Sequence, residues 1–214
     1  MEKIAIIGAG GFGREVKMLI DQINQKDKKY EFIGYYDDGI EKNTTINQNQ
    51  VLGKVEDINA VQEKLNIVIA IGSPETKKAI FEKITSKNIE FPTLIHPSVI
   101  IGNEEVSIGR GCVICAGSII TCNIQIKDFV IVNLMCTIGH DTVIHSFSSF
   151  MPAVNISGEV EIQEEVYVGT GAKIINQLQI GAQTIVGAGA VVSKSLPEKC
   201  TAVGIPSAGG RATT

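Results

Sequence analysis

From Ile108 to Val192, every sixth residue is a branched aliphatic, with one phenylalanine in the series. Ile108, Ile114, Ile120, Ile126, Val132, Ile138, Ile144, Phe150, Ile156, Ile162, Val168, Ile174, Ile180, Val186 and Val192 fill fifteen successive places without a slip. The residue two before each is small or of modest size, as at Cys112, Ser118, Ser148, Ala172 and Ala190. A helix needs apolar residues at a spacing of 3.6 and a half-buried strand at a spacing of two, so a strict six fits neither alone. It fits a solenoid whose short strands each send two side chains inward before the chain turns a corner. Three six-residue segments close one triangular coil. The aliphatic fills the interior beside a corner, and the small residue fits where the triangle narrows. Parallel strand pairing stacks the coils at about 4.8 Å, so fifteen strands predict five coils on the order of 24 Å tall.

The first part of the chain has another rhythm. Lys3 to Ile7 reads as a short apolar strand, and Gly8, Gly10 and Gly13 then spell G-x-G-x-x-G before a helix over 14–23. A second strand over 31–36 ends at Asp37 and Asp38, and a third runs over 66–71. Gly72-Ser73-Pro74 leads into a helix over about 75–86, and 91–94 closes the unit. Alternating strands and helices predict a small parallel sheet with helices on its faces. The expected division is 1–94 as a Rossmann-like half domain and 95–214 as the solenoid with its tail. The glycine run has a mechanical meaning. Gly8 allows the turn, Gly10 lets backbone approach a phosphate, and Gly13 lets helix pack on strand. The helix N-terminus offers free N–H groups to an anion. Its alternative is a tight turn with no ligand. About 90 residues make one mononucleotide-binding half, not the two that a dinucleotide needs, so a single nucleotide or nucleotide sugar is expected.

Composition narrows the field. Of 214 residues, 44% are hydrophobic, enough for a sizeable core. No apolar run reaches membrane-spanning length, so no membrane span is expected. The start MEKIAIIGAG lacks a signal-peptide pattern. A net charge of −4 without a basic block argues against a nucleic-acid partner. Five cysteines without a signal suggest free thiols in a reducing compartment, and hence a cytoplasmic protein. Cys112 and Cys115 form C-x-x-C, but Cys112 falls on an inward small position and no second pair completes a metal site. No metal is expected.

The whole chain resembles the bacterial nucleotide-sugar acetyltransferases with hexapeptide repeats, of the UDP-4-amino-sugar N-acetyltransferase and sialic acid O-acetyltransferase type. The segments that carry the likeness are IIGAGGFGREV (6–16), GYYDDG (34–39), VIAIGSPETKK (68–78), LIHPSVIIG (94–102), VNLMCTIGHD (132–141) and VGIP (203–206). The resemblance implies an α/β Rossmann-like half domain followed by an all-β left-handed parallel β-helix; handedness comes from the family, not from the period. It implies an acetyl-CoA-dependent N-acetyltransferase, a homotrimer with sites between neighbouring β-helices, and a role in bacterial surface glycan synthesis.

The resemblance also distributes roles. His140 would be the general base, since an imidazole titrating near neutrality can take a proton and return it. Asp141 would orient it, and the Gly158 backbone N–H, one coil above, would face the thioester carbonyl. Gly8, Gly10, Gly11, Gly13, Asp37, Asp38, Gly72, Lys77 and Asn133 would hold the nucleotide sugar. Lys77 stands where relatives often carry an arginine. Ser149, Gly158, Thr170, Ala188, Gly204, Ile205 and Pro206 would line the acetyl-CoA arm. Of the other histidines, His96 before Pro97 reads as structural and His145 as an exposed corner residue. The chain departs from the family pattern at Ser149, where relatives have a second histidine, and at its end. Relatives finish in GxPAK or GxPAR, so Arg211 is the candidate basic residue at the coenzyme end. O-acetylation of a sugar such as sialic acid is the second reading, and a non-catalytic nucleotide-sugar-binding protein is a more distant third.

Overall fold

The computed structural model describes residues 1–211. Contacts divide the chain into two compact units, Met1–Pro97 and Ser98–Thr214.

In the first unit, β1 (Glu2–Ile7) carries the run Ile4-Ala5-Ile6-Ile7, each at most 1% exposed. A strand apolar on both faces belongs at the centre of a covered parallel sheet. It pairs in parallel with β2 (Tyr30–Tyr36) on one side and β5 (Leu65–Ile69) on the other. The hairpin of β3 (Thr45–Ile46) and β4 (Asn49–Gly53) extends the β2 side, and β6 (Ile89–Glu90) closes the β5 side. Helix α1 (Gly11–Lys26) buries Gly13, Val16, Leu19 and Ile20, the three-and-four spacing of one apolar stripe. Helix α2 (Pro74–Lys83) starts on Ser73, whose Oγ accepts from the Thr76 N–H at 3.3 Å, with Pro74 in the first turn.

Three features depart from expectation. The β3–β4 hairpin turns on Asn47 and Gln48, with φ of 44° and 70°, a turn whose residues lack the usual glycine signal. A 3-10 helix covers Val55–Ala60. The segment over 91–94, expected to close the unit, does not pair in this sheet: pairing with β5 is made by Ile89 and Glu90, ahead of Pro92, which has no N–H to donate.

The second unit is the expected parallel solenoid. One face stacks the rungs Val113–Ile114, Ile131–Val132, Ser149–Phe150, Tyr167–Val168, Ile185–Val186 and Cys200–Val203. A second stacks Ile100–Ile101, Ile119–Ile120, Thr137–Ile138, Asn155–Ile156, Lys173–Ile174 and Val191–Val192. A third stacks Val106–Ile108, Ile124–Ile126, Val143–Ile144, Glu161–Ile162 and Gln179–Ile180. The aliphatics from Ile114 through Val192 are all at most 3% exposed. The solenoid is longer than the fifteen-strand reading. Ile120 pairs with Ile101 nineteen residues back, and Ala202 with Val186 sixteen residues back. The terminal coils therefore break the period that made the others visible.

Two repeated devices hold the coils in register. Small inward hydroxyls and thiols donate to carbonyls at the next corner: Ser118 to Asn133 at 2.9 Å, Ser148 to Gln163 at 3.0 Å and Thr184 to Pro197 at 2.7 Å. The corners also share one conformation. A left-handed residue recurs every sixth position, at Asn123, Phe129, Met135, Asp141, Phe147, Ala153, Glu159 and Glu165, with φ between 55° and 63°. Such a φ costs a non-glycine residue roughly 1–2 kcal/mol. It persists because the corner N–H is claimed by the coil before, as in Asp141 N to Cys122 O at 3.1 Å and Glu159 N to His140 O at 2.8 Å.

Candidate active site

His140 sits where the second face turns into the third, two residues past the buried Ile138. Its backbone is fixed from above, since its carbonyl accepts from Glu159 N, and its side chain projects outward. The Nδ1 atom lies 2.7 Å from Asp141 Oδ2. Asp141, in the left-handed corner, has its other oxygen Oδ1 held by Asn123 Nδ2 at 2.9 Å. These two hydrogen bonds, that to His140 first, keep the Asp141 carboxyl below its ordinary range. The carboxylate is thus held as the anion, and Nδ1 is its natural donor, leaving Nε2 as the acceptor.

Gly158 is one coil above, and its place is dictated by the ring. A Cβ built on it would stand 2.5 Å from His140 Nε2 and 2.8 Å from Nδ1. Only a glycine lets the imidazole lie against that corner. Among the described residues nothing accepts from the Gly158 N–H, so a backbone donor stands free beside the ring. A cleft of about 390 Å³ opens next to the pair, lined by Asp141, Val143, Glu159, Glu161 and neighbours on the third face.

The other expected residues of this unit lie elsewhere. Thr170 and Ala188 are exposed and occupy the edge between the first and second faces, stacked through Gly189 N to Thr170 O at 2.8 Å. His140 and Gly158 occupy the edge between the second and third. A single chain thus does not bring these two sets together. Asn133 is 4% exposed and turns its Oδ1 back to the Leu134 N–H at 2.7 Å. Ser149 is fully buried on the first face. Gly204, Ile205 and Pro206 are exposed at the far end, where Val191 N reaches Gly204 O at 3.1 Å. The Arg211 side chain lies outside the described residues. His145 is not the exposed corner residue expected. It is half-buried, with Nε2 3.3 Å from Glu161 Oε1. His96 is half-buried too, and burial lowers its pKa. Cys112 and Cys115 are buried and in no disulfide. Among the described residues no group of three His, Cys, Asp or Glu is arranged to hold a metal.

In the first unit, the glycine loop is built as its spacing demands. Gly8 has φ of 96°, and a Cβ there would meet the Ala70 carbonyl at 3.0 Å. A Cβ on Gly13 would collide with the Gly8 carbonyl. Gly10 and Gly11 are exposed, and a Cβ on either would meet nothing within 4 Å, so these two face open space. Helix α1 begins there with no side-chain cap and no acidic residue in its first turn, which leaves its N–H groups for an outside anion. The aspartates have internal work that the sequence did not advertise. Asp37 Oδ2 accepts from the loop's own Ala9 N–H at 2.8 Å, and Asp38 Oδ1 from Val55 N at 2.9 Å. Gly72 is half-buried beside the start of α2. Lys77 is 1% exposed on α2.

Known proteins share this build. The family model described as PglD N-terminal domain matches residues 3–84. The GDP-perosamine N-acetyltransferase of Escherichia coli O157:H7 is 29% identical over 189 residues, covering 88% of this chain and 85% of that protein. The acetyltransferase domain of PglB from Neisseria gonorrhoeae FA1090 is 30% identical, with a TM-score of 0.81 over 98% of this chain and all (100%) of that one. PerB from Caulobacter crescentus, solved in complex with CoA and GDP-perosamine, is 26% identical, with a TM-score of 0.85 over 98% of each chain. The second unit is, with them, a left-handed β-helix.

The contact of ring and glycine generates a test. In Gly158→Ala the new methyl has no room against the imidazole, so the ring must swing away and lose Asp141. Nitrogen NMR of His140 should show the fixed Nδ1–H tautomer of the native protein replaced by a mixture. An unchanged His140 spectrum in the folded variant would contradict the geometry.

Proposed function

Because the chain belongs to the hexapeptide-repeat nucleotide-sugar acetyltransferases, we propose that His140 is the general base in acetyl transfer to the amine of a UDP-linked 4-amino sugar. The protein is an acetyl-CoA-dependent N-acetyltransferase acting on a nucleotide-linked amino sugar. The observation that carries the residue assignment is the imidazole held on Asp141 by Nδ1 and lying over Gly158.

The reaction follows from that geometry. The amine nitrogen attacks the thioester carbon while His140 Nε2 takes its proton. The carbonyl becomes an oxyanion, for which the free Gly158 N–H is the preplaced donor. Asp141 stabilises the imidazolium formed. As the C–S bond breaks, the proton returns from Nε2 to the departing thiolate, giving an amide and free CoA. The rate should fall on the acid side once Nε2 carries a proton and can no longer accept one.

The nucleotide is assigned to the first unit. The uncapped α1 N-terminus and the open backbone at Gly10 and Gly11 supply diphosphate recognition. Gly8 and Gly13 shape that loop and Asp37 anchors it, with Asp38, Gly72 and Lys77 as the remaining substrate residues of this unit; Asn133, on the second unit, is assigned to the sugar by resemblance. UDP rests on the resemblance of 6–16 and 34–39; the GDP-perosamine enzymes among the relatives favour GDP as the second reading. O-acetylation has less support, since relatives that match most of the chain are named N-acetyltransferases. The product would enter bacterial surface glycans.

A homotrimer is the assembly we propose. His140 with Gly158, and Thr170 with Ala188, lie on different edges of one solenoid. A neighbouring copy can set one edge against the other and complete a coenzyme channel running towards Gly204, Ile205 and Pro206, with Ser149 at its first face. A monomer mass by light scattering at micromolar concentration would refute this. We place the protein in the cytoplasm, where five cysteines outside any disulfide stay reduced and acetyl-CoA is at hand; recovery from outside the cell on fractionation would contradict that. Among the described residues no helix is long and apolar enough to cross a membrane.

If His140 is the base, His140→Ala should lower kcat by about 10²–10⁴. The apparent affinities for both substrates should change little, because the imidazole serves the transition state. Asp141→Asn should cost less, since the ring remains. Steady-state kinetics decide it: a folded His140→Ala enzyme with nearly full kcat at saturating substrates would end the proposal.

A further inference from the structure

The left-handed corner residues on the His140 edge form a patterned ladder. Upward it holds Glu105, Asn123, Asp141, Glu159 and Gln177, with φ of 50°, 55°, 57°, 57° and 61°. Two carboxylates in successive coils are bracketed by amides. Asn123 donates from below to Asp141 Oδ1 at 2.9 Å, and Gln177 donates from above to Glu159 Oε2 at 3.2 Å. Coils stack at about 4.8 Å. A third carboxylate at position 123 would therefore press like charge on Asp141 above and Glu105 below.

Asn123 is exposed, so burial does not explain it. Its backbone N–H is taken by Glu104 O at 2.9 Å, and its side-chain amide reaches Asp141. An exposed aspartate held by a single hydrogen bond can rotate about both side-chain torsions. Asp141 is gripped at both oxygens, Oδ1 by Asn123 and Oδ2 by His140. The carboxylate plane, and with it the direction of the imidazole, is fixed from the coil beneath.

We infer that Asn123 is a positioning residue for acetyl transfer, acting through Asp141 to hold the His140 imidazole with Nδ1 protonated and Nε2 free. The inference rests on the reading of His140 as the base. Its logic is that of outer groups that orient a reacting group without touching substrate. Among the described residues, the charged and titratable groups around the Asp141–His140 pair include Glu159 in the coil above, Glu161 across the cleft on the third face with His145 at 3.3 Å from it, Glu105 two coils below and Cys122 one coil below His140. The three acids all oppose a charged Asp141, and the Asn123 amide works against them. After the hydrogen bond to His140, that from Asn123 does most to hold the Asp141 carboxyl below its ordinary range.

The test uses Asn123→Gly in the full chain. Glycine adopts the left-handed corner freely, so the fold stays and only the amide goes. With a nucleotide-linked amino sugar and acetyl-CoA, kcat should fall roughly tenfold. KM for both substrates should stay within about twofold. The acid limb of the kcat/KM profile should move to lower pH, because the imidazolium loses its aligned counter-charge. Made in the Asp141→Asn background, the same change should alter kcat by less than about twofold, as expected of a residue that acts only through Asp141. A merely structural role predicts an equal loss in both backgrounds. That result, or an Asn123→Gly enzyme indistinguishable from wild type while His140→Ala is crippled, overturns the inference alone. A His140→Ala enzyme at nearly full rate instead removes the base, and Asn123's role with it.

Discussion

Inward aliphatic side chains, one every six residues, set the position of everything else in the second unit. Ile120, Ile138, Ile156 and Ile174 pair in direct register on one face, each eighteen residues from the next. Burying such a side chain contributes about 1.5–3 kcal/mol. A one-residue slip would turn a whole rung outward, so register is strongly specified. With rungs locked, corners are locked, and each corner residue stacks on those one coil above and below. The left-handed conformation at those corners is tolerated only because the stacking over-determines it.

That stacking turns a linear sequence into a site. Cys122, His140 and Gly158 are far apart along the chain and adjacent along the edge, and so are Asn123, Asp141 and Glu159. The glycine makes room for the ring, the acid takes the proton side of the imidazole, and the corner N–H is left unclaimed among the described residues, which is the donor that the proposed mechanism gives to the oxyanion. None of this needs the protein to move, which is the preorganisation that the proposed acyl transfer calls for. The first unit contributes a different rigidity: Asp37 holds the glycine loop through Ala9, keeping Gly10 and Gly11 open at the start of α1.

The solenoid and the glycine loop were legible because each rests on a strict spacing that no common alternative produces. The terminal coils were not, since a nineteen- and a sixteen-residue repeat hide rungs from a search at six. The β3–β4 hairpin was missed because Asn47 and Gln48 turn it without glycine. His140, Asp141 and Gly158 could be named through resemblance, and the geometry gives a reason for the glycine that sequence alone did not: the imidazole lies on it. Asn123 escaped notice because its partner is eighteen residues away. Writing the sequence at that period would have placed it under Asp141. The burial of Lys77 and the internal hydrogen bonds of Asp37 and Asp38 had no signal at all, as they depend on how helix and sheet pack.

The central claim is chemical: acetyl passes from acetyl-CoA to the amine of a nucleotide-linked amino sugar. The most direct measurement incubates the protein with carbonyl-¹³C acetyl-CoA and a panel of UDP-, GDP- and CMP-sugars, with and without a free amine, and identifies the labelled product by NMR and mass spectrometry. The account predicts an amide on a UDP-linked 4-amino sugar, with free CoA released in equal amount and no product from the matching hydroxyl sugar. An acetyl ester on the hydroxyl sugar, or no transfer to any amino-sugar nucleotide, would contradict it.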